Sequence, residues 1–173
     1  MNIFAIEQKS NGSVDWEKSA QSLDNLRVVK MILESCQLLS TALHKNGIEG
    51  ARYKPTHLNH PSTIWTAESS ANFENLIVHT KAMLVEYSSR FNKIHACQSV
   101  LEMNIIPLYE KNKHKFPSNV ETPLKVAMPK EFITNNIVES YQNYYVTKEK
   151  MRYPKDKVPK WFSEKRDIYY TVV

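Results

Sequence analysis

Only three glycines, Gly12, Gly47 and Gly50, occur in 173 residues, and that scarcity restricts the fold more than any other property of the chain. Phosphate-cradling loops and tight hairpins need residues that adopt positive φ at no steric cost, which is glycine's role. P-loop, dinucleotide-binding and hairpin-rich β architectures are therefore disfavoured, and an all-α protein is expected. A hydrophobic fraction of 42% and a charged fraction of 24% are ordinary for a globular domain and exclude a disordered, fibrous or coiled-coil chain. The length is that of one core, so residues 1–173 are expected to form a single domain.

No stretch approaches the roughly 18 apolar residues of a membrane span. The opening run Met1-Asn2-Ile3-Phe4-Ala5-Ile6 meets Glu7 before a signal-peptide core develops. A cytoplasmic protein without membrane association is expected. Cys36 and Cys97 sit in apolar helical patterns with no CxxC spacing and read as reduced core thiols rather than a disulfide or metal site.

The charge is concentrated. Of a net +5, all is supplied by the segment from Lys148 to Arg166, where Lys148, Lys150, Arg152, Lys155, Lys157, Lys160, Lys165 and Arg166 face only Glu149, Asp156 and Glu164. Tyr153, Trp161, Phe162 and Tyr169 are interleaved with these cations. Such a tail, residues 148–173, fits a phosphate-backbone footprint with stacking groups, or equally a basic surface segment held down by its aromatics.

Periodicity predicts about four main helices. Residues 1–21 form an N-terminal segment, polar from residue 8 with a short turn near Trp16. A first helix covers about residues 23–43, with Ser22 or Asp24 as its cap and Asn46-Gly47 as its stop. A proline-bounded irregular segment comes next. Helices are then expected over about 62–91 and 94–104, the latter ending before Pro107. Residues 111–129 hold three prolines but also Phe116, Leu124, Val126 and Met128, and read as a long ordered loop. A last helix is expected from Glu131 or Asn135 to about Lys150.

The first helix carries its polar residues on one strip. With Arg27 at 0°, Lys30, Glu34, Gln37 and Thr41 fall at about −60°, −20°, −80° and −40°. Leu26, Val28, Val29, Ile32, Leu33, Cys36, Leu39 and Leu43 occupy the other sides, which predicts a largely buried helix whose strip lines a cleft floor. Glu34 has cations one turn (Lys30) and two turns (Arg27) before it, an arrangement that orients an ionised carboxylate and that also suits routine surface ion pairing.

The proline-bounded loop brings His57, Asn59 and His60 together, with Trp65 in the next helix and Glu68 and Asn72 one and two turns beyond it. Two histidines without a third ligand make a poor zinc site. Imidazoles, an amide and an indole suit phosphates or an extruded base, with Trp65 stacking, while Asn59-His60-Pro61-Ser62 also fits a simple capping turn. No glycine-rich phosphate loop, GxSxG elbow or HExxH is present, and neither metal nor cofactor is expected.

These residues carry a resemblance. Met1-Asn2-Ile3-Phe4-Ala5, residues 23–34 with Gln37-Leu38-Leu39-Ser40-Thr41-Ala42, and Tyr53-Lys54-Pro55-Thr56-His57-Leu58-Asn59-His60-Pro61-Ser62-Thr63-Ile64-Trp65 resemble a widespread group of tailed-phage proteins. Ala127-Met128-Pro129, Tyr144-Tyr145 and Pro159-Lys160-Trp161-Phe162 continue the match. That group is in turn similar to the pyrimidine-dimer DNA glycosylase/AP lyase family of small all-α DNA-repair enzymes. The resemblance implies a phage-encoded enzyme in the host cytoplasm, acting on DNA or a nucleotide through attack of the amino-terminal nitrogen on sugar C1′, with Glu34 as the assisting carboxylate. Family members expose residue 2 by losing the initiator methionine. Asn2 is too large for that removal, so the amine here belongs to Met1. Asn25-Leu26 also stands where the phage group has Asp-Lys.

The expected catalytic set is Glu34, Lys30, Arg27 and Met1. The expected nucleotide pocket comprises Gln37, Thr41, Tyr53, Lys54, His57, Asn59, His60, Trp65, Glu68 and Asn72. The competing reading is a non-catalytic protein on the same scaffold that sequesters a nucleotide or blocks a host defence protein.

Overall fold

A computed structural model describes residues 1–172, with side chains through residue 168. Its helices are α1 (Trp16–Gln21), α2 (Asn25–Lys45), α3 (Pro61–Glu68), α4 (Ser70–Phe91), α5 (Cys97–Val100), α6 (Ile106–Asn112), α7 (Ile137–Tyr145) and α8 (Lys160–Val172). No strand occurs among the described residues, only an isolated bridge between Gln8 and Val14. The fold is all-α and single-domain. No helix among the described residues is long and apolar enough to cross a membrane.

The N-terminal segment threads into the core. Ile3, Phe4, Ala5 and Ile6 are buried, and Phe4 meets Tyr145 edge-on at 4.9 Å. Buried extended backbone needs partners. Ser19 of α1 supplies one, its Oγ accepting from the amides of Ile6 and Glu7. At the start of α2, Asp24 is fully buried and accepts from the Leu26 amide (3.0 Å) and from Tyr145 Oη (2.6 Å), which joins helix capping to tertiary packing. Glu86 of α4 is buried with Arg90 and Lys157, and Arg90 also donates to the Gln21 and Leu23 carbonyls. One guanidinium thus ties α4 to the α1–α2 corner.

The structure divides the elements more finely than the periodicity predicts. The stretch expected as one helix over 62–91 breaks at Ser69, whose backbone is extended and whose hydroxyl caps α4 by accepting from the Ala71 amide at 3.1 Å. Serine competes for backbone donors in this way wherever a neighbouring loop makes the break worthwhile. Here the Ser70 amide donates to the Ser118 carbonyl. The third expected helix does not stop before Pro107. A π-helical stretch, Leu101–Ile105, links α5 to α6, with the Ile106 amide bonding the Leu101 carbonyl. The wider turn absorbs a residue with no N–H, and the helix runs on to Asn112. The last expected helix is shorter, Ile137–Tyr145, because Asn136 caps it at Val138 and Glu139.

The basic segment is strapped to the domain rather than trailing from it. Phe162 is buried, Trp161 Nε1 donates to Glu7 at 2.8 Å, and Tyr153 Oη donates to the Ser22 carbonyl. The side chain of Tyr169, and Val173, lie outside the described residues. Helix α2 is not buried all round: Leu26 is 47%, Leu33 40% and Val29 37% exposed. It packs mainly against α4 and α3, with smaller contacts to α5 and the π-helical stretch, and leaves these three side chains partly open to solvent.

Candidate active site

The α-amino nitrogen of Met1 lies 3.7 Å from Glu34 Oε2, and Lys30 Nζ lies 3.5 Å from Glu34 Oε1. Glu34 is thus bracketed by two cations, one from the chain start and one from its own helix. The amine is anchored through the neighbouring Asn2. That residue is buried, its Nδ2 donates to the Ala127 carbonyl at 2.9 Å, and its Oδ1 accepts from the Ile3 amide at 2.9 Å. Beside the amine opens a cavity of about 260 Å³, lined by Met1, Asn2, Phe4, Leu26, Arg27, Lys30, Met31, Tyr144 and Lys148. Lys148 sits 3.5 Å over the Tyr144 ring. The walls combine two aromatic rings and apolar Leu26 and Met31 with three basic side chains.

Arg27 belongs to this cavity but not to Glu34. Its Nη1 is 3.5 Å from Asp24 Oδ1 and donates to the Glu149 carbonyl at 3.0 Å. Of the two cations expected beside Glu34, Lys30 lies within ion-pair distance of it and Arg27 pairs with Asp24 instead. The i−7 spacing places Arg27 level with the buried Asp24, a nearer carboxylate.

The histidine loop is tied to α2, the helix that carries Glu34. His60 caps α3, its Nδ1 accepting from the Ser62 amide at 3.2 Å. Its pKa is lowered, first by burial, then by the Met1 ammonium and by His57, with the Glu34 charge opposing. Those influences put His60 within electrostatic reach of the amine and the carboxylate. His57 has a left-handed backbone, φ 51°, and its exposed ring shares a hydrogen bond with Thr56 Oγ1 at 2.7 Å. Lys54 and Asn59 are exposed on the same loop. Thr41 is buried and works as a bracket, donating to the Gln37 carbonyl and accepting from the Thr56 amide at 3.2 Å, so that the loop is tied to α2. Half-buried Gln37 remains on the strip with Glu34.

Three of the expected pocket residues lie elsewhere. Trp65 is fully buried, packs on Trp16 at 5.5 Å and donates to the Thr122 carbonyl at 2.9 Å, so no face is open for stacking. Asn72 is fully buried, donating to Thr122 Oγ1 and the Trp65 carbonyl and accepting from the Thr122 amide. Glu68 pairs with Lys125 at 2.9 Å and accepts from Thr122 Oγ1. Burial pushes its pKa up, and these two partners outweigh that and lower it. Together the three clamp the long loop. Tyr53 is committed to Cys97, with Oη 3.3 Å from Sγ, and not to Glu34. Cys36 beside it holds the Cys97 thiol below the ordinary thiol pKa, and Cys97 with burial pushes that of Cys36 up. Both cysteines are free and buried.

Sequence reasoning missed Asn2, Tyr144 and Lys148. Only the dipeptide Tyr144-Tyr145 and the local cation excess marked that region. Among the described residues no group of three or more His, Cys, Asp or Glu converges as a metal site.

The site is thus an α-amine set against a helix carboxylate in an all-α domain. The sequence profile of the pyrimidine dimer DNA glycosylase family matches residues 1–99, and the chain belongs to that family. Those residues contain the amine, Glu34, Lys30 and the histidine loop, but not Tyr144 or Lys148. Neither a curated protein nor a solved structure matches the chain.

Proposed function

We propose that this protein is a DNA glycosylase/AP lyase whose nucleophile is the Met1 α-amine and whose proton-transfer group is Glu34. The observation that carries the reading is the 3.7 Å pairing of these two groups inside the family-matched region. α-Amines as a class lose their proton more easily than lysine ammonium groups, and Glu34 at 3.7 Å is placed to take that proton, which frees the lone pair for attack on carbon and loads the carboxylate with the proton it later delivers. The nitrogen lone pair forms a bond to sugar C1′ as the C1′–base bond breaks, and the base leaves with its electron pair and takes up a proton. The new ammonium loses a proton, Glu34 delivers one to the ring oxygen, and the sugar opens to a protonated imine. Loss of a C2′ proton then expels the 3′ phosphate, and water hydrolyses the imine to release the amine. Glu34 serves throughout as the charge that stabilises the cationic intermediates and as the proton shuttle.

Lys30 fixes Glu34, and Lys148 with Tyr144 receives the nucleotide in the cavity beside Met1. The substrate on this reading is a nucleotide extruded from DNA, in a phage-encoded enzyme at work in the host cytoplasm. The test is borohydride reduction of the protein mixed with an abasic-site oligonucleotide, then mass spectrometry of the adduct. A reduced adduct on the N-terminal residue is the expected result. Stoichiometric binding with no adduct would replace the reading with that of a non-catalytic nucleotide binder.

A further inference from the structure

Helix α2 presents Leu26, Val29 and Leu33 to solvent at 47%, 37% and 40% exposure, spaced i, i+3 and i+7. At 100° per residue, with Arg27 at 0°, these three fall at about −100°, −160° and −120°, directly beside Lys30 and Gln37. The ridge therefore borders the strip that holds Glu34, and Leu26 lines the cavity next to Met1. A contiguous exposed apolar row of this kind marks a contact surface. Its occupant is indicated by what surrounds it. Lys30 rises from the middle of the row with 67% of its side chain exposed, Arg27 and Lys148 flank the cavity at one end, and Glu34 is the only carboxylate that α2 carries. A second copy seated on the ridge with the two-fold axis at its middle would set Lys30 near Lys30, an arrangement of like charges that opposes association.

We infer that the Leu26–Val29–Leu33 ridge is a wedge that enters duplex DNA between two base pairs, while Lys30 and the cavity cations hold the adjoining phosphates. This inference rests on the glycosylase/lyase reading and adds how a recessed amine reaches a sugar inside a duplex. The interior of the base stack is the most extensive apolar surface that duplex DNA offers, and leucine side chains inserted there unstack a step and bend the helix. Opening the step displaces the target sugar toward the amine. Single-stranded DNA needs no such opening, so the wedge matters for duplex substrate alone.

The test compares wild type with the double variant Val29→Gln/Leu33→Gln, which leaves the cavity-lining Leu26 in place. Both are assayed for strand cleavage at an abasic site in single-stranded and in duplex oligonucleotides, the duplex carrying 2-aminopurine next to the site. The variant is expected to cleave the single strand at the wild-type rate and the duplex about tenfold more slowly or worse, without the fluorescence rise that reports unstacking. Met substitutions at the same two positions should restore duplex cleavage. Equal slowing on both substrates, or no slowing on either, overturns the wedge, as does a wild-type dimer that the variant converts to a monomer. Should wild type cleave and trap neither substrate, the glycosylase reading fails first and the wedge falls with it.

Discussion

The Met1 nitrogen and Glu34 Oε2 lie 3.7 Å apart, although one opens the chain and the other sits three turns into a capped helix. The pairing makes Glu34 the group whose charge the chemistry would use. Glu34→Gln keeps volume and polarity and removes the charge. Cleavage at an abasic site should fall by roughly 10²-fold or more, the usual scale of a general acid/base contribution, with the melting temperature nearly unchanged. Unaltered cleavage with a lowered melting temperature would make Glu34 a structural ion-pair partner of Lys30.

Asn2 sets the position of that amine. Asn2→Asp retains the oxygen that accepts from the Ile3 amide but replaces the donor to the Ala127 carbonyl with a charge, leaving a carboxylate facing a carbonyl oxygen. Stability should drop by about 1–3 kcal/mol in urea unfolding, the cost of a buried mismatch. Adduct formation should slow further than that loss predicts, because the amine loses its anchor. Trapping rates measured where both proteins are fully folded separate the two effects.

Much of this was legible in the sequence. Asp24 reads as a cap from its place before an apolar-periodic run, and the α2 strip comes from 100° geometry because both depend on neighbours within two turns. The amine against Glu34 is different: no spacing rule connects an extended N-terminus to a helix face, and only the family resemblance supplied it. Trp65 was misplaced because a tryptophan one turn into a helix reads the same whether its indole meets solvent or another tryptophan. Its partner Trp16 and its acceptor, the Thr122 carbonyl, are remote in sequence. Leu26, Val29 and Leu33 look like core residues by composition, and their exposure depends on which faces of α2 its tertiary partners cover, which no local pattern records.

The basic segment gives a salt-dependence prediction. Lys157 is engaged by Glu86 and Lys165 by Asn143, and Phe162 is in the core, so deleting the segment would remove packing together with charge. Lys150, Arg152 and Lys155 are exposed. Replacing these three with alanine should reduce the slope of log affinity against log salt on duplex DNA by about 0.9 for each phosphate that the variant no longer neutralises, with folding unchanged. An unchanged slope, measured by fluorescence anisotropy, would assign the segment a packing role alone.

His79 predicts the acid limb of stability. Its ring is buried between α4 and α1, with Nδ1–H donating to the Trp16 carbonyl at 2.8 Å and Trp16 edge-on at 6.0 Å. Burial lowers its pKa to about 4, against the raising effect of that hydrogen bond. In the unfolded chain a histidine titrates near 6.5. Above that pH the ring is neutral in both states and protonation contributes nothing. Between about 6.5 and 4 the unfolded chain binds a proton that the folded chain refuses, so stability falls as the pH falls, by about 3 kcal/mol across the window. His60, lowered as well, adds a loss of the same sign. Subtracting the His79→Gln profile isolates the His79 contribution, since every other titrating group is shared. The variant should be less stable than wild type at pH 7, where it lacks the imidazole packing, and the gap should close toward pH 4. A gap constant from pH 7 to pH 4 in denaturant unfolding would mean that the His79 ring takes up its proton in the folded state as readily as in the unfolded one.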